Sequence, residues 1–236
     1  VTFTAETLEA ALGALEAAVV KEPECPQVWT FLGRLYAENF AMETIDRPTP
    51  IKKAIEYAEK GVQLDSQNQR ARTILAMAYL LTDQLPEGLI EAQKAIALNP
   101  TSLIFMDVIG HVLALLGEWD EGTELVRKAI KLNPYHRPYV YHVLCADWLR
   151  KEEYEKAYLE TLDFRAPSIF WEPLLRASTL GLLGRVEDAD RFVQLLFSLK
   201  PDFPSRGRAL IKFWAKPEEL VARIIRGLKK AGMDLG

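Results

Sequence analysis

The chain has 236 residues, of which 49% are hydrophobic and 26% charged, a composition typical of an ordinary soluble domain. The formal net charge is −4 and no basic tract is present, so we expect no direct nucleic-acid binding. No apolar run approaches the ~18 residues that a membrane-spanning helix needs, so we expect no membrane insertion. Cys25 and Cys145 stand far apart in no metal-binding spacing. They indicate free thiols in a reducing compartment and hence a cytoplasmic location.

The first element is an amphipathic helix over residues 4–22, which Pro23 ends. Thr4 is the expected N-cap, with Thr7 as a second possibility. We interpret residues 4–25 as the second helix of a pair whose first helix is missing. Because the chain also starts at Val1 rather than at Met, we expect it to be a piece of a longer protein or a processed product.

Residues 26–68 predict a helix pair with an insertion. Trp29, Leu32, Gly33 and Tyr36 follow the spacing W-x2-L-G-x2-Y in the first helix, and the second helix is expected over 51–64. About nine extra residues fall within 37–50. We expect them to lengthen the first helix and then form a proline-bound loop that folds back on the body.

Three further pairs follow with a regular period, over 69–102, 103–136 and 137–169. Ser66 to Pro100 and Pro100 to Pro134 each span 34 positions, and Leu-Asn-Pro closes both of these second helices. In the 103–136 pair the first helix is expected to end at Gly117 and the second at Pro134. Neither helix can bury its apolar surface on the other alone, so each pair needs neighbours of the same kind.

The chain then predicts one more pair over 170–202 and a tail over 203–236. The tail should contain a short helix over 205–214 and a second helix with Pro217 at its first turn and Gly232 at its C-cap. We expect this last pair to cover the open end of the stack, because repeat arrays need a terminal cap.

These motifs resemble the tetratricopeptide repeat family from Thr4 to Pro201. The stretches GEWDEGTELVRKAIKLNP and FWEPLLRASTLGLLGRVEDADRFVQLLFSLKPDF look more narrowly like the C-terminal repeats of bacterial signalling proteins. In those proteins a class III nucleotide cyclase, a winged-helix or a TolB-like segment precedes the repeats. The resemblance implies one all-α superhelical solenoid domain of about five helix pairs, with the N-terminal half repeat and the C-terminal capping pair.

The resemblance also implies which side chains line a concave groove on the first helices. The partner-binding residues expected on this basis include arginine and aromatic side chains, the types that dominate interface energies when exposed. They are Arg34, Glu38, Arg70, Met77, Asp107, His111, Tyr139, His142, Arg150 and Trp171.

No nucleophile–base pair, phosphate-binding loop or HExxH motif is present, so we predict a non-catalytic protein without cofactor or metal. The function expected first is a scaffold that binds a protein or peptide, or its own upstream effector domain, as a regulatory module. Two alternatives stay open: a self-association module that forms homodimers, and a small-molecule sensor with His111 and His142 as polar anchors.

Overall fold

The computed structural model describes residues 4–45, 48–102, 105–166, 169–233 and 235. Within these residues there are thirteen α-helices and one short 3-10 helix at Pro138–Val140, and no β-strand. The predicted all-α fold class is confirmed. The helices are α1 Ala5–Lys21, α2 Pro26–Met42, α3 Ile51–Leu64, α4 Gln69–Leu81, α5 Leu85–Leu98, α6 Met106–Leu115, α7 Trp119–Leu132, α8 Tyr141–Arg150, α9 Tyr154–Asp163, α10 Trp171–Leu182, α11 Val186–Leu199, α12 Phe203–Trp214 and α13 Glu218–Lys230.

The chain divides into two compact units, residues 1–116 and 117–236. The N-terminal unit holds α1–α6 and the C-terminal unit holds α7–α13. The division falls at Gly117, inside the pair predicted over 103–136, where the glycine adopts a left-handed φ of 116° and ends the first helix as expected. The single-domain organisation and its repeat boundaries stay a prediction.

The N-terminal unit is built from helix pairs, α2 with α3 and α4 with α5. Aromatic rings hold the first pair together: Tyr57 lies 5.6 Å from Trp29 and meets Tyr36 edge-on at 5.2 Å. The Tyr36 hydroxyl donates to Glu16 at 2.8 Å and so ties α2 to α1. Thr4 caps α1 in a capping box with Thr7, as expected.

The insertion behaves as predicted where the structure describes it. Helix α2 runs for 17 residues, and Glu43 ends it with a left-handed φ of 51°. The Asn39 side chain then holds the loop against α2, because it accepts a hydrogen bond from the Ile45 amide and donates one to the Thr49 hydroxyl, both at 3.0 Å. Asp46 and Arg47, inside the predicted loop, lie outside the described residues.

Gly33 sets the closest approach of α2 and α3. A Cβ added there would lie 3.0 Å from the Ala54 carbonyl oxygen and 3.1 Å from the Ala58 nitrogen. Because both neighbours are main-chain atoms of α3, we expect Gly33→Ala to destabilise the N-terminal unit by about 1–3 kcal/mol through overpacking. Urea unfolding followed by circular dichroism measures this cost, and an unchanged midpoint would contradict it.

In the C-terminal unit α8 pairs with α9 and α10 with α11. Helix α10 is enveloped: every residue from Phe170 to Leu182 is buried except Arg176, which is half-buried. A helix that is buried on every side needs neighbours on every side. Helices α8, α9 and α11 supply part of that cover, and α13 supplies the rest.

The tail differs from the prediction in two ways. Helix α12 begins at Phe203, two residues before the expected Ser205, and Pro217 is the N-cap of α13 rather than its first helical residue. More importantly, α13 packs on α10 and reaches α8, so it lies across the first helices of two pairs. The expectation that the tail covers the open end of the stack stays a prediction.

Candidate functional site

The first helices of the N-terminal unit carry a half-exposed strip of polar and aromatic side chains. We call it the α2–α4 strip and define it by Phe31, Arg34, Glu38 and Arg70. The Arg34 Nε donates to Glu38 at 2.7 Å, one helical turn away. The Arg70 guanidinium lies over the Phe31 ring at 4.5 Å and also 5.1 Å from the Phe105 ring centroid. These contacts hold a planar cation in place at a half-exposed surface.

Three other predicted groove residues of this unit are buried. Met77 is 6% exposed, Asp107 4% and His111 6%. The Asp107 carboxylate accepts from the Val108 amide at 2.7 Å. These three side chains have little accessible surface of their own, and their assignment to a partner-binding groove stays a prediction.

Burial also sets the protonation of two groups. Burial of the His111 ring lowers the pKa of this histidine from 6.5 to about 4, because a buried imidazolium loses its hydration. In the C-terminal unit burial raises the pKa of the Cys145 thiol well above its ordinary value, first through desolvation and second through Glu160. A neutral imidazole and a protonated thiol are the forms expected at pH 7.

In the C-terminal unit Trp171 and His142 belong to the core. Trp171 is 2% exposed and His142 5% exposed. The two rings meet edge to face at 4.5 Å, and Phe170 stacks on Trp171 at 5.6 Å. Most of the surface of both rings is therefore used in packing within this unit, and their assignment to a partner-binding groove stays a prediction.

Tyr139 and Arg150 are half-buried. Tyr139 lies in the 3-10 helix before α8, and its hydroxyl accepts from Arg137 at 3.4 Å. Arg150 ends α8, pairs with Asp147 at 2.9 Å and lies 5.3 Å from the Trp119 ring centroid. The structure thus brings Arg34, Glu38 and Arg70 into one strip and keeps Tyr139 and Arg150 partly accessible in the other unit.

The first helices of the C-terminal unit hold α13 on their surface. We call this contact area the α8–α10 surface and define it by Leu149, Arg150, Ser178 and Gly181. Arg223 of α13 donates to the carbonyl oxygens of Leu149 at 2.8 Å and Arg150 at 2.6 Å. These carbonyls lie in the last turn of α8, where the negative end of the helix dipole favours a cation.

The middle of α13 touches α10 backbone to backbone. Gly181 and Gly227 face each other, and a Cβ on Gly181 would lie inside the van der Waals radius of the Gly227 carbonyl oxygen and 2.8 Å from the Ala231 nitrogen. The Ser178 hydroxyl donates to the Ile224 carbonyl at 2.9 Å. Two glycines and one serine therefore allow the helices to approach to main-chain contact. The residues that α13 buries are Leu220, Val221, Ile224, Gly227 and Leu228.

Sequence reasoning missed Arg223, Gly181 and Gly227, although a signal for them was present. A glycine inside an otherwise apolar helical stripe costs helix stability and so indicates close packing. Gly227 sits in such a stripe between Ile224 and Leu228. Nothing in the pattern, however, indicates that its counterpart is on α10.

Among the described residues no group of three or more histidine, cysteine or acidic side chains is arranged to hold a metal ion. None of the helices in the described part of the chain combines the length and the apolar character needed to cross a bilayer.

No family model matches the sequence. The transcriptional regulator HilA of Salmonella typhimurium is 25% identical over 132 residues, which cover 56% of this chain. Anaphase-promoting complex subunit 7 of Dictyostelium discoideum is 27% identical over 143 residues, which cover 50% of this chain. The chain spans about a quarter of the length of these relatives, 24% of each.

Solved structures resemble the chain more completely. The APC/C hetero-tetramer Cut9–Hcn1 superposes with a TM-score of 0.67 and 13% identity over 95% of this chain and 42% of that one. YrrB, a TPR protein, gives a TM-score of 0.46 and 15% identity over 80% of this chain and 93% of that one. Together with the helix pairs and the Cut9–Hcn1 likeness, the 34-residue period shows that the chain has the all-α, paired-helix fold of tetratricopeptide solenoids.

Proposed function

We propose that this chain is a protein-interaction scaffold that binds a partner segment on the α2–α4 strip. The observation that carries the proposal is the placement of Arg70 between Phe31 and Phe105. A guanidinium held by rings loses little conformational freedom on binding, and arginine and aromatic side chains supply most hot-spot energy at interfaces. The neighbouring Arg34–Glu38 pair offers both charges to a partner, so a mixed rather than a purely acidic or basic segment fits.

The test uses a phage-displayed library of random peptides selected on the intact chain. We expect enriched peptides to lose at least about tenfold in affinity when Arg34→Ala and Arg70→Ala are combined, since each is a candidate hot spot worth more than about 1 kcal/mol. Lys53→Ala is the matched control, because Lys53 is an exposed cation on the second helix α3. Failure to enrich any peptide, or equal binding by the double variant, would remove the strip as the binding site.

A finer proposal is that the chain is the regulatory C-terminal module of a larger bacterial signalling protein in the cytoplasm, and that it docks the effector domain of that protein. The similarity to the transcriptional regulator HilA supports this context. The coding sequence upstream of Val1 tests it directly. We expect it to encode a cyclase, winged-helix or TolB-like domain, and a stop codon in its place would contradict the proposal.

A further inference from the structure

The α8–α10 surface is occupied by a helix of the same chain, and the contacts identify what that surface recognises. Three features of α13 meet it: an apolar ridge, the Arg223 guanidinium and the glycine at 227. The arginine and the glycine stand four positions apart, so both project from one face of the helix. Each has its own counterpart, the end of α8 for the arginine and Gly181 of α10 for the glycine.

We propose that α13 is an intramolecular occupant of a helix-binding surface, and that a partner helix of the same chemistry displaces it. The partner is an amphipathic helix with arginine and glycine in the spacing R-x3-G, flanked by branched apolar residues. This proposal extends the proposed function to a second surface. It rests on the proposed function only in assuming that the first helices of the pairs form binding surfaces. Here α13 acts as an autoinhibitory segment.

The contacts favour exchange with a helix rather than with an extended peptide. The Ser178 hydroxyl and the Arg223 guanidinium reach main-chain carbonyls across the interface, and the two glycines allow two helical backbones to touch. A strand would present its carbonyls at another spacing and would not follow the straight line from Ser178 to Gly181 on α10. The recognition mode is therefore a helix in a groove, read through anchors on one face.

The hydrogen bonds of Arg223 indicate why the surface requires an arginine at this point of the bound helix. Arg223 is 13% exposed and donates a third hydrogen bond, to the Glu152 carboxylate, at 2.7 Å. The Arg223 Nη1 donates to both carbonyls and Nη2 donates to the Glu152 carboxylate, so a partner helix with lysine at this point would bring one nitrogen to acceptors that the planar fork of arginine reaches with two. We therefore expect arginine to be required in the partner.

The experiment uses the intact chain and a labelled synthetic peptide of residues 217–233, PEELVARIIRGLKKAGM, in fluorescence anisotropy. In the wild-type chain the tethered α13 competes with the peptide, so binding is weak. In the chain variant Gly227→Ala the tethered helix no longer fits against Ser178 and Gly181. We expect that variant to bind the wild-type peptide at least about tenfold more tightly than the wild-type chain does.

Gly181→Ala in the chain distinguishes damage to the α8–α10 surface from damage to α13. It also expels α13, but it blocks the surface itself, so the wild-type peptide should not bind. The peptide that carries Gly227→Ala should bind neither chain, although alanine makes it a better helix former. Equal peptide binding by the Gly181→Ala and Gly227→Ala chains, or equal binding of the two peptides, would overturn the proposal.

Two further measurements complete the design. Arg223→Ala in the chain weakens the contact of α13 with α8 without adding a methyl group to the helix interface. It should therefore raise peptide binding even if Gly227→Ala prevents folding. Lys230→Ala is the control, because Lys230 is an exposed cation on the same helix. Light scattering of the wild-type chain shows whether the α8–α10 surface is occupied by α13 of the same chain or by α13 of a second copy. A dimer that the peptide dissociates would show that a second copy supplies the helix and would overturn the assignment to a partner. Loss of binding at the α2–α4 strip leaves these outcomes unchanged, so the two proposals fail separately.

Discussion

Gly181→Ala is expected to cost at least about 3 kcal/mol, the upper end of overpacking effects, because the added methyl group meets main-chain atoms that cannot rotate away. Its nearest neighbours are the Gly227 carbonyl group and the Ala231 nitrogen of α13. If α13 leaves α10 to relieve the clash, it exposes Leu220, Val221, Ile224 and Leu228 to water. Each of these side chains contributes roughly 1.5–3 kcal/mol when it is buried.

Urea unfolding measures the loss of stability, and hydrogen exchange of the α13 amides shows whether this helix detaches first. Gly13→Ala is the matched control, because Gly13 lies on α1 with nothing within 4 Å of an added Cβ. The same substitution should stabilise the chain there by about 0.5–1 kcal/mol through helix propensity. Unchanged protection of the α13 amides in the Gly181 variant would contradict the close contact.

The second large effect is a dependence of stability on pH that His111 imposes. Burial lowers the pKa of His111 to about 4 in the folded state, whereas the unfolded chain has the ordinary value of 6.5. Between these two values the unfolded state binds the proton more readily. Stability is therefore complete above pH 6.5 and falls as the pH decreases towards 4. A pKa difference of about 2.5 corresponds to about 3 kcal/mol.

Unfolding of the N-terminal unit, followed by urea titration at several values between pH 4 and 7, measures this slope. In His111→Gln, which keeps a polar side chain without the titrating ring, we expect this part of the slope to disappear. His136→Gln controls for the loss of a histidine outside the core, since His136 is half-buried in the loop after α7. An equal slope in wild type and His111→Gln would show that the imidazole is hydrated in the folded state.

The sequence predicted well wherever a local rule decides the outcome. Helix α3 begins and ends where its apolar periodicity and Pro50 place it, and Gly117 stops α6 because only a left-handed φ closes that turn. The lengthened α2 was also predictable, because Pro48 and Pro50 exclude helix and so force the extra residues into α2 or the loop. These features depend on residues within a few positions of one another.

The sequence says less about the exposure of the candidate site residues. Arg34 pairs with Glu38 and Arg70 lies over Phe31, and the assignment of these residues to a groove stays a prediction. The other expected residues include five that are buried: Met77, Asp107, His111, His142 and Trp171. A helical periodicity tells which side of a helix a residue occupies, and it does not tell whether something else covers that side. In the C-terminal unit the cover on α10 is α13, whose position depends on contacts more than 40 residues distant in the chain.

By itself the sequence determined the number, type and limits of most helices, and the fact that they pair, because propensity, capping and apolar period act over one or two turns. Only the tertiary structure decided that α13 lies on α8 and α10, and that Gly181 and Gly227 meet. The position of α13 depends on a close fit between two helix surfaces, in which one added methyl group would cause a clash. Such a fit depends on the shapes of both surfaces, which the sequence of either helix alone does not reveal.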